Sequence, residues 1–375
     1  MIYLNHGATS YPKPQCVTDR VAEQLAALPS GQFRSTAGID DGDLFTAARE
    51  GIAKILGVRS ERIFFTSGST EALNFLISGF HLPASAFLTT AAEHNSVLRP
   101  LFQLIEHEEL PSIVPVDQNG RISPEAIEQA ILPRHKVLIV NHCSNVTGAI
   151  ADLKTIGQIA KAHGLWFLVD VSQSAGCIPM SLDEVGVHGA AFTGHKALLG
   201  IQGSGGMYLS EDLPISPVKF GGTGRDSSKI RYTDGDAEWE VGTQNSPGIA
   251  ALATAATYVL RQDVAKIHQY ESRLVTETKQ RLSALPNVHV IGMTGDDYGP
   301  VVSFTIDGMN CADVSYILQN SYDIVTRSGL QCAPLIHTYL GTAPKGCVRA
   351  SFGFSNTMED VDALAYAVRE ITEAL

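Results

Sequence analysis

The chain has 375 residues, of which 44% are hydrophobic and 18% charged, and its formal net charge at pH 7 is −12. This length allows one large domain and a smaller one, and the composition excludes a disordered chain. The acidic balance argues against a general surface for nucleic acids or anionic membranes, although it leaves room for a local basic pocket.

The N-terminal residues, the longest apolar runs and the cysteines indicate the cellular compartment. The N-terminal residues lack the charged and apolar regions of a signal peptide, and no apolar run approaches the roughly 20 residues that cross a bilayer. The six cysteines include no CxxC pair, so neither a disulfide framework nor a metal site is indicated. We therefore expect a cytoplasmic protein with reduced thiols.

Short apolar runs alternate with longer amphipathic stretches from about residue 50 to 210. The runs predict strands over residues 62–68, 85–90, 112–116, 136–144, 166–172, 189–194 and 205–210. Helix-like segments between them include "STEALNFLISGF", "SPEAIEQAIL" and "LKTIGQIAKAHG". The near-continuous apolar character of the strands predicts an α/β fold with a mainly parallel sheet buried on both faces.

The pattern changes after residues 246–263, a long helix candidate that could link two domains. The strand-like runs "VHVIG", "PVVSFTI", "DIVTRSG" and "VRASFG" follow, and residues 358–375 carry one apolar stripe at helical spacing. We expect a large α/β domain over residues 15–255 and a smaller α+β domain formed by residues 1–14 and 256–375.

Polar residues follow several of the predicted strands, at the edge where ligands gather in a wound α/β sheet. The segment Ser67–Thr70 joins a strand to a helix, and it predicts either an anion cradle or an ordinary N-cap. His94 and Asn145 follow two further strands. Taken alone, each is typical of a hydrogen-bonding or turn residue.

Asp170 ends an otherwise apolar strand, and Gln173 lies three residues further on. A buried carboxylate needs a cationic or hydrogen-bonding partner, and a purely structural contact with the backbone or an arginine is as good an interpretation as a functional one. Lys196 follows the strand over 189–194, where partial desolvation lowers the pKa of the amine and makes it a nucleophile or proton shuttle. A Schiff-base lysine, an acid for a ring nitrogen and a phosphate cup are what pyridoxal phosphate requires.

Nine segments in series resemble the class V aminotransferase-like family of pyridoxal-phosphate enzymes, and within it the short-loop cysteine desulfurases and selenocysteine lyases. They are "YLNHGATSYPKP", "FFTSGSTEALN", "EHNSVLRP", "SNVTG", "VDVSQSAG", "FTGHKALLG", "WEVGTQN", "RSGLQCAP" and "VRASFGFSNTMEDVD". Most are weak individually, but together they cover nearly the whole chain. The resemblance implies a fold-type I transferase, a pyridoxal 5'-phosphate cofactor and a homodimer.

The resemblance also implies roles for individual residues. Lys196 would carry the cofactor covalently, and Asn145 and Arg349 would hold the substrate, the arginine by its α-carboxylate. His94 would lie against the cofactor ring and help relay protons. The remaining cofactor-binding positions are Asp170 at the ring nitrogen, Gln173 at the ring hydroxyl, Ser69, Thr70, Thr193 and His195 at the phosphate, and Thr243 at the phosphate of the neighbouring subunit.

Cys332, five residues after Arg327, decides the subfamily. A lone cysteine is usually core filler, but in the short-loop desulfurases this position accepts sulfur. The resemblance implies conversion of L-cysteine to L-alanine with a persulfide on Cys332, and a sulfur-acceptor protein as a possible partner. The alternatives are a selenocysteine lyase, a related C–S lyase or aminotransferase, and, in another class, a non-catalytic phosphate-binding protein.

Two positions depart from the pattern of this family. Asn5 and His6 stand where Asp-Asn is common, and Gln331 stands where related sequences often carry histidine beside the cysteine. Both departures touch the sulfur-accepting side of the site, so the exact substrate stays open.

Overall fold

The computed structural model describes residues 1–27, 41–105, 109–223, 228, 230, 238–292 and 298–375. Its helices are α1 (Gln15–Ala26), α2 (Asp41–Leu56), α3 (Ser69–Ser78), α4 (Asn95–Gln103), α5 (Pro124–Ala130), α6 (Leu153–Ala162), α7 (Ser246–Gln262), α8 (Val264–Ser283), α9 (Cys311–Tyr322), α10 (Pro334–Tyr339) and α11 (Met358–Glu373). Its strands are β1 (Ile2–Tyr3), β2 (Ile63–Thr66), β3 (Phe87–Thr90), β4 (Ser112–Val114), β5 (Val137–Asn141), β6 (Trp166–Asp170), β7 (Gly189–Thr193), β8 (Gly205–Leu209), β9 (Val288–Ile291), β10 (Val301–Ile306), β11 (Ile324–Val325), β12 (Arg327–Gly329) and β13 (Cys347–Ser351).

The main sheet has seven strands in the order β2-β8-β7-β6-β5-β3-β4. Strand β8 runs antiparallel to β2 and β7, and the other neighbours pair in parallel. Each strand lies inside one of the seven apolar runs of the sequence. The predicted α/β fold with a mainly parallel sheet is confirmed.

Both faces of this sheet are buried, because successive side chains of its central strands enter different apolar clusters. Leu138 and Val140 of β5 pack in the cluster that includes α2, α6 and α7. Val137 and Ile139 of the same strand pack in the cluster that includes α3 and α4. This explains why the strands are apolar throughout and show no alternation with polar residues.

A second sheet is antiparallel, in the order β12-β13-β10-β9, and the short strands β1 and β11 pair in parallel beside it. Its core includes side chains of α8, α9 and α11. The run "DIVTRSG" divides between β11 and β12. The smaller α+β unit is therefore present, although the expected domain limits stay a prediction.

The predicted long helix forms as α7 and packs against α1 and α2. It ends at Gln262, and the next residue, Asp263, has a φ of 69° and turns the chain into α8. Helix α8 then packs against α11 and β9. The turn at Asp263 therefore joins the two halves, and α7 itself belongs to the larger one. No helix in the described ranges is long and apolar enough to cross a membrane.

The carboxyl ends of β5, β6 and β7 place Asn141, Asp170 and Thr193 along one edge of the main sheet. The turn from β2 into α3 reaches the same edge because Gly205 has no side chain. A Cβ atom on Gly205 would lie 2.6 Å from the Cα atom of Gly68. This contact brings the start of α3 beside the end of β7.

Candidate active site

A cleft at this sheet edge has an empty volume of about 950 Å³, including its open mouth. That size is typical of small-molecule sites. Ten of the twelve residues singled out from the sequence line it, namely Ser69, Thr70, His94, Asn145, Asp170, Gln173, Thr193, His195, Lys196 and Arg349. The lining excludes Cys332 and Thr243, although both lie beside it.

Lys196 follows β7 and is half-buried in the cleft. Burial lowers the pKa of its ammonium to about 8, assisted by the positive charges of Arg349 and Arg327, while Asp170 acts in the opposite direction. About a tenth of the side chain is thus an uncharged amine at pH 7, against less than about a thousandth for an ordinary lysine. The uncharged amine is the form that attacks a carbonyl carbon.

Asp170 faces the same cleft from the end of β6 and is 4% exposed. Its Oδ1 atom accepts hydrogen bonds from the Ser172 amide at 2.9 Å and the Ser172 hydroxyl at 2.5 Å. These bonds hold the carboxylate in one orientation, and both use the same oxygen. The backbone contact considered from the sequence is therefore real, and it leaves Oδ2 without a partner among the described residues.

The start of α3 is not closed by a Ser or Thr N-cap, so that reading of the sequence is wrong. Gly68 occupies the cap position, with φ of 149° and no side-chain cap bond. Ser69 and Thr70 begin the helix and line the cleft. Uncapped amides beside hydroxyl groups form an anion cradle, and Thr193 and His195 line the same pocket.

His94 is linked to this cradle through Ser96, which the sequence analysis missed. The Ser96 amide donates to His94 Nδ1 at 3.0 Å, and the Ser96 hydroxyl lies 2.8 Å from the Thr70 hydroxyl. Nδ1 is therefore an acceptor, and the neutral ring carries its proton on Nε2. Burial lowers the pKa of His94 to about 4, with Lys196 adding to the effect.

Arg349 is a buried cation, only 1% exposed, and no carboxylate pairs with it within the described residues. Its Nη1 atom donates to the Asn145 carbonyl at 2.9 Å and its Nη2 atom to Asn5 Oδ1 at 3.2 Å. Burial and the neighbouring Arg327 lower the pKa of Arg349 to about 10. The guanidinium therefore presents an uncompensated charge to the cleft, as a carboxylate-binding site requires.

Cys332 sits beside the cleft on a tight loop and is half-buried. Arg327 Nη2, which lines the cleft, donates to Cys332 Sγ at 3.4 Å. The Asn95 amide at the start of α4 donates to the Cys332 carbonyl at 2.7 Å. The backbone of Cys332 is thus tied to the residue after His94, and a positive charge lies against its sulfur.

Gln173 lies in the cleft, whereas Thr243 lies in a pocket beside it. Gln173 lines the cleft, and its Nε2 atom donates to the Gly7 carbonyl at 3.0 Å. Thr243 is exposed in an adjoining pocket that shares Ser67, Glu71 and Gly203 with the cleft. Its expected role toward a neighbouring subunit stays a prediction.

Two further residues at the site, Arg327 and Glu93, are hard to predict from the sequence. Arg327 contacts Arg349 only because β12 and β13 pair in register, with Arg327 opposite Arg349. Glu93 is fully buried behind the cleft, where its Oε1 atom accepts from the Asn141 amide at 2.9 Å. Burial raises the pKa of Glu93 to about 8. Its place next to His94 in the chain was the one local signal.

The donor set fits pyridoxal phosphate. Four buried polar atoms of cleft residues have no partner among the described residues, namely Asn141 Oδ1, Asn145 Oδ1, His195 Nδ1 and Arg349 Nε. Such atoms need partners, which a polar ligand supplies. An amine, a carboxylate and an anion cradle in one cleft match the aldehyde, ring nitrogen and phosphate of this cofactor.

Comparison with known proteins agrees with this arrangement. The family model "Aminotransferase class-V" matches residues 2–364. A probable cysteine desulfurase of Methanothermobacter thermautotrophicus is 32% identical, and the match covers 99% of this chain and 94% of that protein. A probable cysteine desulfurase of Mycolicibacterium paratuberculosis is 30% identical over all of this chain, which spans 56% of that protein's length.

Solved structures show the same likeness. A cysteine desulfurase from Thermococcus onnurineus superimposes with a TM-score of 0.86 and 28% identity, covering 100% of this chain and 95% of that one. A cysteine desulfurase from Escherichia coli gives a TM-score of 0.87 and 26% identity, again covering 100% of this chain and 95% of that one. The similarity therefore extends over both sheets.

Proposed function

The chain belongs to the aminotransferase class-V family, and from this membership we propose that it is a pyridoxal-phosphate-dependent cysteine desulfurase. It converts L-cysteine to L-alanine and retains the sulfur on Cys332 as a persulfide. The single observation that carries the proposal is that one cleft combines Lys196, Asp170 and Arg349, with the Cys332 thiol at its margin.

Different residues of the cleft bind different parts of the cofactor. Pyridoxal phosphate, when bound, supplies an aldehyde for the lysine and a ring that absorbs the electron pair released at the substrate α-carbon. Asp170 holds a proton on the ring nitrogen, and Gln173 donates to the ring hydroxyl oxygen. Ser69, Thr70, Thr193 and His195 bind the phosphate.

The substrate is oriented by Arg349 and Asn145. The guanidinium binds the α-carboxylate with two N–H groups, and the Asn145 side chain lies beside it. Lys196 takes the α-proton as a neutral amine, consistent with its lowered pKa. His94, which lines the cleft, would lie against the cofactor ring and help relay protons.

Sulfur transfer belongs to Cys332. Its thiolate attacks the substrate sulfur, so that an S–S bond forms while the C–S bond breaks, and the carbon fragment takes up protons and leaves as alanine. Arg327 supplies positive charge beside the anionic sulfur. The persulfide then passes to another thiol by exchange, which makes a sulfur-acceptor protein the expected partner.

The family also supports a homodimer, in which Thr243 contacts the phosphate bound by the neighbouring subunit. The exposure of Thr243, in a pocket that shares three residues with the cleft, is compatible with that arrangement. The dimer and the cytoplasmic location remain predictions.

The test is an assay of the reconstituted protein with L-cysteine, measuring alanine and protein-bound persulfide. We expect both products from the wild type and from Cys16→Ser, which alters an exposed thiol. Cys332→Ser should retain the visible cofactor band and lose persulfide formation. Full desulfuration by Cys332→Ser would contradict the proposal.

The same assay separates the alternatives. Pyruvate and ammonia in place of alanine would indicate β-elimination by a C–S lyase. Alanine from selenocysteine alone would indicate a selenocysteine lyase. A colourless protein that takes up no cofactor would indicate a non-catalytic phosphate-binding protein.

A further inference from the structure

A second cavity lies behind the active-site cleft. Gly7, Gln173 and Lys196 line both cavities and so form the wall between them. The rest of its lining comes from the N-terminal segment, from the turns that follow β6 and β7, from α8, and from residues at or beside the start of β10 and the end of β13. It is narrow, with room for about two water molecules.

Two buried polar side chains line this second cavity with an atom that has no partner among the described residues. Glu271 on α8 is 3% exposed and has Oε2 unpartnered, and His6 is 6% exposed and has Nε2 unpartnered. Leaving a buried polar atom unpaired costs about 1–3 kcal/mol, so such atoms usually bond to ordered water. The pair makes this a polar pocket in apolar surroundings.

Both groups are uncharged near neutral pH. Burial raises the pKa of Glu271 well above that of an ordinary carboxyl group. Burial, assisted by the charge of Lys13, lowers the pKa of His6 to about 4. The thiols of Cys143 and Cys177 also interact with the charge of Glu271, and burial raises the pKa of both thiols, so they stay neutral.

The pKa values of Lys196 and Glu271 are shifted in opposite directions, which narrows the usual gap between a lysine and a glutamate. The pKa of Lys196 is lowered to about 8, whereas the pKa of Glu271 is raised. A proton can pass between two groups at little cost when their pKa values are close. Ordinary values for lysine and glutamate differ by about six units and would oppose such exchange.

We propose that the second cavity binds ordered water that carries protons between Glu271 and Lys196, with His6 as the second anchor of that water. The Glu271 carboxyl group gives its proton through the water to the Lys196 amine, which leaves a carboxylate and an ammonium, and the reverse step restores both. No electron transfer or co-reactant is involved. The inference rests on the proposed function because Lys196 must be the group that moves the substrate α-proton.

The proposed water relay also gives a function to His6. His6 is one of the departures noted from the sequence, and the active-site cleft does not use it, since its ring faces the second cavity. Glu271 and His6 act through Lys196 and do not line the cleft. Lys196 would thus exchange protons with a store on the side away from the substrate.

The test measures how fast deuterium from D₂O enters the α-position of L-alanine in the cofactor-loaded protein. Glu271→Gln keeps the shape of the side chain and removes its exchangeable acid, so we expect entry to slow by about tenfold. Glu277→Gln, further along α8 and partly exposed, is the matched control and should keep the wild-type rate. His6→Asn should slow entry to a smaller extent.

A crystal structure of the loaded wild-type protein supplies a readout independent of turnover. We expect ordered water bonded to Glu271 Oε2 and connected to Lys196 Nζ. A dry cavity, or water with no connection to Lys196, would overturn the proposal. If Glu271→Gln does not fold, His6→Asn and this crystal structure decide between the two results.

The outcomes also distinguish the relay from the proposed function. If the wild type forms no borohydride-reducible adduct, the proposed function fails and the relay fails with it. If the adduct forms but Glu271→Gln exchanges deuterium at the wild-type rate, the relay alone is wrong. A loaded wild type that exchanges no deuterium at all would also overturn the relay.

Discussion

Arg349 places a buried positive charge at the cleft. A guanidinium that is 1% exposed normally has a carboxylate partner, and none pairs with it in the described ranges. Two neutral oxygens, from Asn145 and Asn5, accept from its outer nitrogens. The Arg349 guanidinium is thus available to bind an anionic ligand.

Arg349→Lys keeps this charge and loses the planar fork. We expect the KM for L-cysteine to rise by about 30- to 100-fold, because two charge-assisted hydrogen bonds become one. The cofactor band should be unchanged. Steady-state kinetics measures the effect, with Arg369→Lys, on the exposed face of α11, as control. An unchanged KM would show that the carboxylate binds elsewhere.

Lys196 gives a pH prediction. A lysine amine attacks an aldehyde only when unprotonated, and the pKa of Lys196 is lowered to about 8. The rate at which the cofactor-free protein binds pyridoxal phosphate should therefore rise with pH through a midpoint near 8, well below the ordinary lysine value. Asp170 raises this pKa, so Asp170→Asn should move the midpoint to lower pH. Stopped-flow absorbance measures both, and a midpoint near 10.5 would contradict the account.

At the scale of elements, the loop between β12 and α10 holds the thiol in place from both halves of the molecule. Gln331 and Cys332 both have left-handed backbones, with φ of 43° and 60°. The Gln331 carbonyl accepts from Asn145 at 2.7 Å, and its side chain donates to the Cys347 carbonyl at 2.9 Å. Gln331, which stands where related sequences often carry histidine, therefore uses both its backbone carbonyl and its side chain to fix this loop.

Gln331→Ala should slow alanine formation by about tenfold, because the Cys347 carbonyl loses its side-chain partner and the strained loop loosens. The cofactor band and the KM for L-cysteine should stay close to the wild-type values. Gln331→His should restore part of the rate, since histidine can donate the same bond. Thr338→Ala, exposed on α10, serves as control. A wild-type turnover rate for Gln331→Ala would show that the loop does not depend on this side chain.

The sequence predicted the elements that local pattern determines and missed contacts between distant segments. Lys196, Asp170 and Thr193 were identified because each ends a recognisable apolar strand. Arg327 entered the site through strand pairing with β13. Ser96 did so through a bond to Thr70, 26 residues earlier. Such contacts depend on tertiary packing, which a motif does not encode.

At the scale of the whole molecule, the cleft lies where the two sheets meet. Ionisable groups buried around it make the stability of the folded protein depend on pH. Glu93 is the clearest case, since its carboxyl group is fully buried and its pKa is raised to about 8. A carboxyl group with a raised folded-state pKa contributes stability below its unfolded pKa of about 4.5, and this is lost as pH rises through about 8.

Glu93→Gln keeps the oxygen that accepts from Thr90 and Asn141 and removes the titration. Relative to this variant, the wild type should lose stability as pH rises from 5 to 8, by up to about 1.4 kcal/mol per pH unit. Urea unfolding at several pH values measures the difference. The exposed Glu125→Gln should follow the wild-type curve. Parallel curves for the wild type and Glu93→Gln would show that Glu93 is charged in the folded protein.

The central claim is that Lys196 is the residue that binds pyridoxal phosphate. Burial also lowers the pKa values of Lys13 and Lys279 to about 8, so reactivity alone does not select Lys196. Lys13 donates to the His195 carbonyl at 2.9 Å and Lys279 to the Gly292 carbonyl at 2.5 Å, and neither lines the cleft.

The most direct measurement is borohydride reduction of the reconstituted protein followed by mass spectrometry of its peptides. We expect the pyridoxyl label on Lys196, and no label on the Lys196→Ala protein. A label on Lys13 or Lys279, or a wild-type protein without label, would contradict it.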